Sequence, residues 1–123
     1  MSVLLDTSVV IDVLRTSAPA LAFFNQLASR PNISLITIAE VGVGLRRRSE
    51  ENDATLFWSL VRVHPVDEAA AIRAGQFVRR YGPSHGIELP DALIAATAKH
   101  HGLKLATLNV KHFPMFPKLT LPY

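Results

Sequence analysis

Apolar residues along this chain occur either in short unbroken runs or at every third or fourth position. The first run, residues 3–5, is followed at once by Asp6, Thr7 and Ser8. An unbroken apolar run of this kind is typical of a buried parallel strand, whereas the wider spacing indicates an amphipathic helix. The start of the chain therefore predicts a strand that leads directly into a helix.

The same two patterns alternate along the whole chain. The predicted strands cover residues 3–5, 33–36, 61–66 and 103–108, with a last edge strand at 118–121. The predicted helices cover residues 9–15, a segment starting at Pro19, 37–48 with Thr37 as the N-cap, 53–60, 67–81 with Gly82 as the stop, and 90–102. Residues 83–89 are predicted to be a loop. Strands that alternate with helices indicate an α/β domain with a mainly parallel sheet of four to five strands.

The composition limits the possible classes of protein. A chain of 123 residues with 49% hydrophobic content predicts one folded domain, residues 1–123, and no internal repeat or linker is visible. The absence of cysteine excludes disulfides and zinc–thiolate sites. The formal net charge of +3 is compatible with a polyanionic partner. No apolar run reaches membrane-spanning length and no signal peptide is evident, so we expect a cytoplasmic protein.

Three carboxylates lie in apolar surroundings, where acidic residues are uncommon. Asp6 ends the first apolar run, Glu40 lies among small and apolar residues, and Asp91 opens the apolar stretch 91–98. A carboxylate in such surroundings is costly unless it is paired or bound to a cation. This pattern predicts that the three acids meet around a divalent metal ion.

The predicted elements place these acids at one edge of the sheet. Asp6 and Asn109 each follow a predicted strand, Glu40 lies one helical turn beyond another, and Asp91 begins a helix. Ligand sites in open α/β sheets form outside the carboxyl ends of the strands. Ligands that carry only oxygen donors suit Mg²⁺ or Mn²⁺ better than zinc.

Each of these residues also has a purely structural interpretation. Asp6 could cap a helix or form a turn, and Glu40 has the capping-box spacing from Thr37. Asp91 in a first turn would suit the helix dipole, and Asn109 could be an ordinary turn residue. The combination of three acids at equivalent ends of elements favours the metal site.

Four segments resemble the motifs of a known family. Residues 5–12, 37–44, 89–98 and 105–113 are similar, in this order, to the four motifs of PIN-domain nucleases. Their spacing resembles that of the compact bacterial VapC-type toxins of type II toxin–antitoxin systems, and the resemblance extends over essentially the whole chain. It implies a three-layer α/β/α domain.

The resemblance also implies an activity and its residues. We expect a Mg²⁺-dependent endoribonuclease, with Mn²⁺ as a possible substitute, in which Asp6, Glu40 and Asp91 bind the ion. Glu40 would complete the metal shell or orient the attacking water, and the product would carry a 5′-phosphate. Asn109 is a further catalytic-site candidate and stands where many PIN domains have a fourth acid; its amide oxygen could still act as a donor or hold a water, and the smaller negative charge leads us to expect one tightly held ion. The implied partners are an RNA substrate, a cognate VapB-type antitoxin and a second copy of the chain in a homodimer.

Several other residues are candidates for contacts with RNA. The hydroxyls of Thr7 and Ser8 could bond a carboxylate or the scissile phosphate, and Thr107 would support the site. Among the basic residues, Arg15 and Lys111 lie nearest to the ends of predicted motifs. For His112 a packing or capping role is expected, rather than action as a general base.

Three other functions are compatible with parts of the sequence. An RNA-processing PIN nuclease outside a toxin–antitoxin pair would use the same acids, although the short chain has no insertion that could clamp a branched substrate. A receiver-like signalling domain would use Asp67 after a central strand, but Glu40 and Asp91 would then be unexplained. A catalytically inactive binding module would fit the amide at Asn109, whereas the three intact acids oppose it.

Overall fold

The computed structural model describes residues 2–123 and contains a four-stranded sheet. All strand pairs are parallel, and the strand order is β3-β2-β1-β4. Leu4 in the central strand lies opposite both Asn32 and Leu105 in the neighbouring strands. The strands are β1 (Val3–Leu5), β2 (Asn32–Ser34), β3 (Arg62–His64) and β4 (Lys104–Ala106).

Six α-helices and one short 3-10 helix connect the strands. The helices are α1 (Thr7–Leu14), α2 (Ala18–Asn25), α3 (Leu35–Gly44), α4 (Arg48–Trp58), α5 (Glu68–His85) and α6 (Leu89–His100), followed by a 3-10 helix at Val110–His112. The predicted α/β class with a mainly parallel sheet is confirmed. The sheet has four strands, the lower of the two expected numbers.

The core consists of two hydrophobic clusters on opposite faces of the sheet. Successive residues of a strand point to opposite faces. Leu4 accordingly packs with residues of α5 and α6, and Leu5 packs mainly with residues of α1, α2 and α4. Both leucines are fully buried. Two helical layers around one sheet confirm the expected three-layer α/β/α arrangement.

The second strand and the helix after it differ from the sequence prediction. The strand ends at Ser34, whose hydroxyl accepts a hydrogen bond from Ile36 N–H and so caps α3. The prediction that Thr37 is the N-cap was therefore wrong, because Thr37 lies fully buried inside the helix. The helix also ends earlier than residue 48, and Arg48 instead begins α4.

The later elements differ from the prediction at two places. Helix α5 does not stop at Gly82 but continues through Pro83 and ends at Gly86, which has a left-handed φ of 66°. Glycine adopts a positive φ without strain, and this left-handed φ at Gly86 explains why the helix ends here rather than at Gly82. Within the described residues, 118–121 form no strand, and Lys118 has a φ of 61°, which breaks an extended conformation.

The apolar helices of the described residues are short. No single helix combines the length and the apolar character needed to cross a membrane. Helices α1 and α2 satisfy these criteria only when they are taken together, across a bend of 109°.

Candidate active site

Asp6 lies at the carboxyl end of the central strand, where β1 passes directly into α1. It is the N-cap of α1, and its Oδ1 accepts a hydrogen bond of 2.8 Å from Thr7 N–H. The side chain is almost completely buried, with 2% exposure. The capping role considered for this residue is therefore real, but it occupies only one of the two carboxylate oxygens.

The second carboxylate oxygen of Asp6 is held by two hydroxyls. Thr107 Oγ1 donates to Oδ2 at 2.6 Å and Ser8 Oγ donates to it at 3.0 Å. Both hydroxyls also accept a backbone N–H, from Asn109 and Leu108 respectively. The ends of β1 and β4 are thereby joined through one carboxylate. These bonds fix the orientation of the Asp6 carboxylate.

Glu40 reaches the same edge of the sheet from α3. Its Oε1 accepts a hydrogen bond of 2.7 Å from Thr7 Oγ1, and Thr7 Oγ1 lies 3.0 Å from Thr37 Oγ1. The capping-box interpretation of Thr37 and Glu40 is wrong, since α3 is capped by Ser34. Glu40 instead bonds Thr7, the residue after Asp6, and so connects α3 with the start of α1.

Asp91 lies in the first turn of α6 and pairs with a histidine. Its Oδ2 is 3.2 Å from His112 Nδ1, and the two side chains are 22% and 43% exposed. The prediction of a packing or capping role for His112 missed this contact. Its position in the fourth motif, three residues after Asn109, was the available signal.

The three carboxylates interact electrostatically. Burial raises the pKa of Asp91, and the negative charges of Asp6 and Glu40 raise it further, whereas His112 acts in the opposite direction. A carboxyl group whose pKa is raised by other carboxylates lies in a region of concentrated negative charge. The edge of the sheet is therefore an acidic cluster.

The chemistry of this cluster can be compared with the needs of a metal ion. The three acids offer oxygen donors only, which suits Mg²⁺ or Mn²⁺, and a cation would offset the repulsion that raises the pKa of Asp91. Within residues 2–123, however, no three Asp, Glu or His side chains converge on one ion position. Asp6 and Glu40 are each turned towards a hydroxyl, and Asp91 towards His112. The donors fit such an ion, but the arrangement is not a preformed three-ligand cage.

The remaining predicted site residues lie around this cluster. The hydroxyls of Thr7, Ser8 and Thr107 all donate to its carboxylates. Asn109 is exposed at the start of the 3-10 helix, and Lys111 is exposed within it. The role of Asn109 in the catalytic site and the role of Lys111 in binding RNA stay predictions.

Next to Glu40, helices α1, α3 and α4 enclose a groove with an apolar floor. It has a volume of about 150 Å³ and is lined by Ile11, Leu14, Arg15, Glu40, Val41, Gly44, Leu45, Glu50 and Asp53. Arg15, the C-cap residue of α1, is exposed at its rim together with Glu50 and Asp53. The acidic cluster therefore continues into a partly apolar surface that could accept another chain.

Comparison with known proteins identifies relatives over most of the chain. The PIN domain family matches residues 3–116. The chain is 47% identical to Ribonuclease VapC10 of Mycobacterium tuberculosis over 92 residues, which cover 74% of this chain and 68% of that protein. It is 39% identical to Ribonuclease VapC19 of the same organism, with 98% of each chain covered.

A solved structure extends this similarity to the fold. A toxin–antitoxin complex from Klebsiella pneumoniae contains a chain that superimposes with a TM-score of 0.85 at 31% identity. The match covers 99% of this chain and 98% of that one. Fold and sequence similarity thus extend over the same residues.

Proposed function

The chain belongs to the PIN-domain family, and from this premise we propose that it is a metal-dependent endoribonuclease, the VapC-type toxin of a type II toxin–antitoxin pair. The observation that carries the chemistry is the acidic cluster, in which Asp6 and Glu40 raise the pKa of Asp91. An enzyme that hydrolyses an RNA phosphodiester must counter the charge of the phosphate. Carboxylates alone would repel it, so the cluster needs a cation.

Asp6, Glu40 and Asp91 are the residues that would hold Mg²⁺, or Mn²⁺ in its place. When bound, such an ion supplies activation of water and neutralises charge on the phosphoryl oxygens. Asp6 offers a rigid ligand, since Thr7 N–H and two hydroxyls hold its carboxylate. Glu40, whose carboxylate accepts a hydrogen bond from Thr7, would complete the metal shell or orient the attacking water.

Asp91 and His112 can hold a proton between them at the edge of the site. The distance of 3.2 Å between Asp91 Oδ2 and His112 Nδ1 allows a shared proton. His112 in its charged form would stabilise the ionised form of Asp91. Histidine therefore stands here as a positioning residue for one of the proposed ligands.

For the RNA itself we propose contacts on both sides of the cluster. Thr7 and Ser8 lie beside the carboxylates, and each donates its single hydroxyl proton to one of them, so a bond to a phosphate oxygen would require the hydroxyl to change its acceptor. Lys111 lies in the exposed segment after β4, and Arg15 lies at the rim of the groove, whereas the neutral Asn109 would hold a water or support the proposed metal ligands. A positive side chain at these places would offset the repulsion between phosphate and the acidic cluster.

The groove beside Glu40 is the proposed position of the cognate antitoxin. Its floor would accept apolar side chains, and Glu40, Glu50 and Asp53 would attract a basic residue. An antitoxin segment bound there would lie across the acidic cluster and exclude RNA. Formation of a homodimer stays a prediction.

Cleavage of RNA by the antitoxin-free protein tests this proposal. We expect Mg²⁺ to produce discrete fragments from total cellular RNA, and EDTA to abolish them. Asp6→Asn and Asp91→Asn should each lower the cleavage rate by at least about 100-fold, the scale of losing one group that stabilises the transition state. Asp67→Asn is the matched control, because it removes one charge far from the cluster and asparagine still caps α5.

The result that contradicts a nuclease is equally definite. A folded protein that cleaves no RNA at any concentration of Mg²⁺ or Mn²⁺ would exclude the enzymatic function and favour the inactive binding module. Cleavage that continues in EDTA would exclude the metal. Co-purification of a neighbouring gene product that inhibits cleavage would distinguish the toxin from an RNA-processing nuclease.

A further inference from the structure

The charge of this chain is divided between its two halves. Residues 1–68 contain six basic residues (lysine or arginine) and eight acidic residues. Residues 69–123 contain seven basic residues and only two acidic residues. After Asp91 the chain has no acidic residue at all. The net charge of +3 therefore arises entirely from the second half, which includes α5, α6 and β4. This half is where a polyanion would be attracted.

Three of these seven cations line a groove between α5 and α6, which we call the basic groove. It consists of two adjoining cavities of about 400 and 390 Å³, and Arg73 and Lys99 line both. Arg80 lines the first cavity together with the rings of Phe77 and Tyr81. No aspartate or glutamate lines either cavity.

Aromatic rings hold these cations in place. The guanidinium carbon of Arg73 lies 5.2 Å from the ring centre of Phe77, and that of Arg80 lies 5.3 Å from the ring centre of Tyr81. Lys99 Nζ lies 4.4 Å from the ring centre of Phe116. Contacts of this kind restrict long side chains without neutralising their charge. The three cations therefore keep their charge available for an anion.

Carboxylates do not compete for these cations. Among residues 2–123 the ion pairs shorter than 4.0 Å are His100 with Asp67 and His112 with Asp91. Asp67, the acid beside the groove, is thus already engaged with a histidine. Three fixed positive charges around a common space, without a carboxylate partner, favour a ligand with several negative groups.

The position of the groove favours RNA over an acidic peptide. Helix α6 carries Asp91 in its first turn and Lys99 in its last, and eight residues span about 12 Å along a helix axis. A strand with one phosphate at the acidic cluster would reach the groove along the same helix. Charged grooves with aromatic side chains are also typical of surfaces that bind single-stranded nucleic acid.

We propose that the basic groove binds the sugar–phosphate backbone of the RNA substrate at a distance from the cleavage site. This inference rests on the proposed nuclease function and adds a second region of contact to it. Arg73, Arg80 and Lys99 bind phosphates there, without reading the bases. The groove thus supplies affinity for long RNA, and the acidic cluster supplies the chemistry.

Binding measured without cleavage tests the groove by itself. The probe is a fluorescent oligouridylate of about 16 nucleotides, which is the longest stretch of single strand that one small binding domain typically covers. It is titrated with the protein in EDTA over a series of salt concentrations. The groove variant is Arg73→Gln/Arg80→Gln/Lys99→Gln. We expect its affinity at low salt to fall by at least about tenfold, and the negative slope of log K against log salt to become shallower by about 2, since each lost single-strand contact removes about 0.7 from its magnitude.

The matched control removes the same charge elsewhere. Arg62→Gln/Lys104→Gln/Lys118→Gln changes three exposed residues that do not line the groove. We expect this variant to keep the wild-type salt slope. Equal losses in both triple variants, or no loss in either, would overturn the proposal, because net charge alone would then govern binding.

Two further variants separate charge from folding. Arg73→Lys/Arg80→Lys keeps the charge and should retain most of the affinity. Lys99→Glu changes one exposed residue at the end of α6 and should weaken binding more than Lys104→Glu. Equal effects of these two single variants would overturn the proposal even if the triple variant failed to fold. A groove variant that changed the oligomeric state would also overturn it, by identifying an interface between copies.

Cleavage distinguishes failure of the groove from failure of the proposed function. With Mg²⁺, we expect the groove variant to lose kcat/KM on long RNA, through KM, while cleavage of an oligonucleotide too short to reach the groove is unchanged. Wild-type cleavage of long RNA by this variant would refute the groove and leave the nuclease intact. Groove-dependent binding by a protein that never cleaves RNA would refute the nuclease alone.

Discussion

Asp6 and Asp91 belong to one acidic cluster but are held in opposite ways. Asp6 is buried and both of its oxygens accept hydrogen bonds, from Thr7 N–H, Ser8 and Thr107. Asp91 is partly exposed, its only close partner among the described residues is His112, and its pKa is raised by burial and by the other acids.

The difference shows that one cluster can combine structural stability with electrostatic strain. The hydrogen bonds of Asp6 connect β1 with the segment after β4, so the carboxylate contributes to the fold. The charge of Asp91 is opposed by its surroundings in the metal-free protein, so this residue contributes little to the fold. Such strain is expected where a group is kept for its chemistry.

The largest effect expected from this comparison is on stability. Asp6→Asn should lower the free energy of unfolding by about 1–3 kcal/mol. The Asp6 carboxylate accepts three hydrogen bonds on two oxygens, whereas an amide has only one acceptor oxygen for the same donors. Asp91→Asn should leave the free energy of unfolding unchanged or raise it, since it removes a charge that the other acids repel. Urea denaturation in EDTA measures both values.

The control for this pair is Asp67→Asn, whose cap on α5 survives the change. Equal destabilisation by Asp6→Asn and Asp91→Asn would contradict the comparison, because the two carboxylates would then contribute equally to the stability of the fold. Both variants are nevertheless expected to lose cleavage activity, which separates stability from function.

A smaller effect should follow from removing one hydroxyl around Asp6. Thr107→Val keeps the shape of the fully buried side chain but deletes the donor at 2.6 Å from Asp6 Oδ2. We expect a loss of about 1 kcal/mol in the free energy of unfolding, because Ser8 still donates to the same oxygen. In the cleavage reaction kcat should fall by a large factor while KM changes little, since the hydroxyl orients a proposed metal ligand.

Thr107→Ser restores the hydroxyl and serves as the control for the valine variant. Serine should recover most of the lost kcat, even though it lacks the methyl group. A serine variant as inactive as valine would show that packing at the end of β4, rather than the hydrogen bond to Asp6, supports the site.

The smallest effect concerns acid sensitivity far from the cluster. His64, in the edge strand β3, bonds Asn32, and its pKa is lowered by burial and by the charges of His101 and Arg62. The unfolded chain therefore binds this proton more tightly than the folded protein does. Stability should fall as the pH drops below about 6.5, the ordinary value for histidine, and continue to fall towards the lowered pKa of the folded state.

His64→Gln should reduce this acid sensitivity, and His85→Gln, a change at an exposed histidine, should not. Unfolding midpoints measured between neutral and mildly acidic pH provide the comparison. If both variants kept the wild-type dependence, the acid sensitivity would originate in other groups of the protein.

The elements that the sequence predicted well are those with a local cause. The run of residues 3–5 forms β1, and Asp6 both ends this strand and caps α1. Residues 90–102 predict α6 closely, because Pro90 and the basic last turn are helix signals within the segment itself. The position of Asp6 and Asp91 at one edge of the sheet followed from these elements.

The errors arose where neighbouring segments decide the structure. Residues 33–36 are all compatible with a strand, but only residues up to Ser34 pair with β1 and β3, and Leu35 already begins α3. The predicted strand at 118–121 does not form, because a strand needs a partner edge and Lys118 turns the chain with a positive φ.

The sequence by itself determined which residues are candidates for the chemistry and the order in which the elements follow one another. Hydrophobic periodicity and the types of the polar residues are local properties, so they can be read along the chain. Only the tertiary structure decided the partners of those residues. Thr7 bonds Glu40 across 33 positions, and Thr107 bonds Asp6 across 101, because parallel strands bring their carboxyl ends together whatever their separation in sequence. The same packing placed Arg73 and Lys99 on one groove.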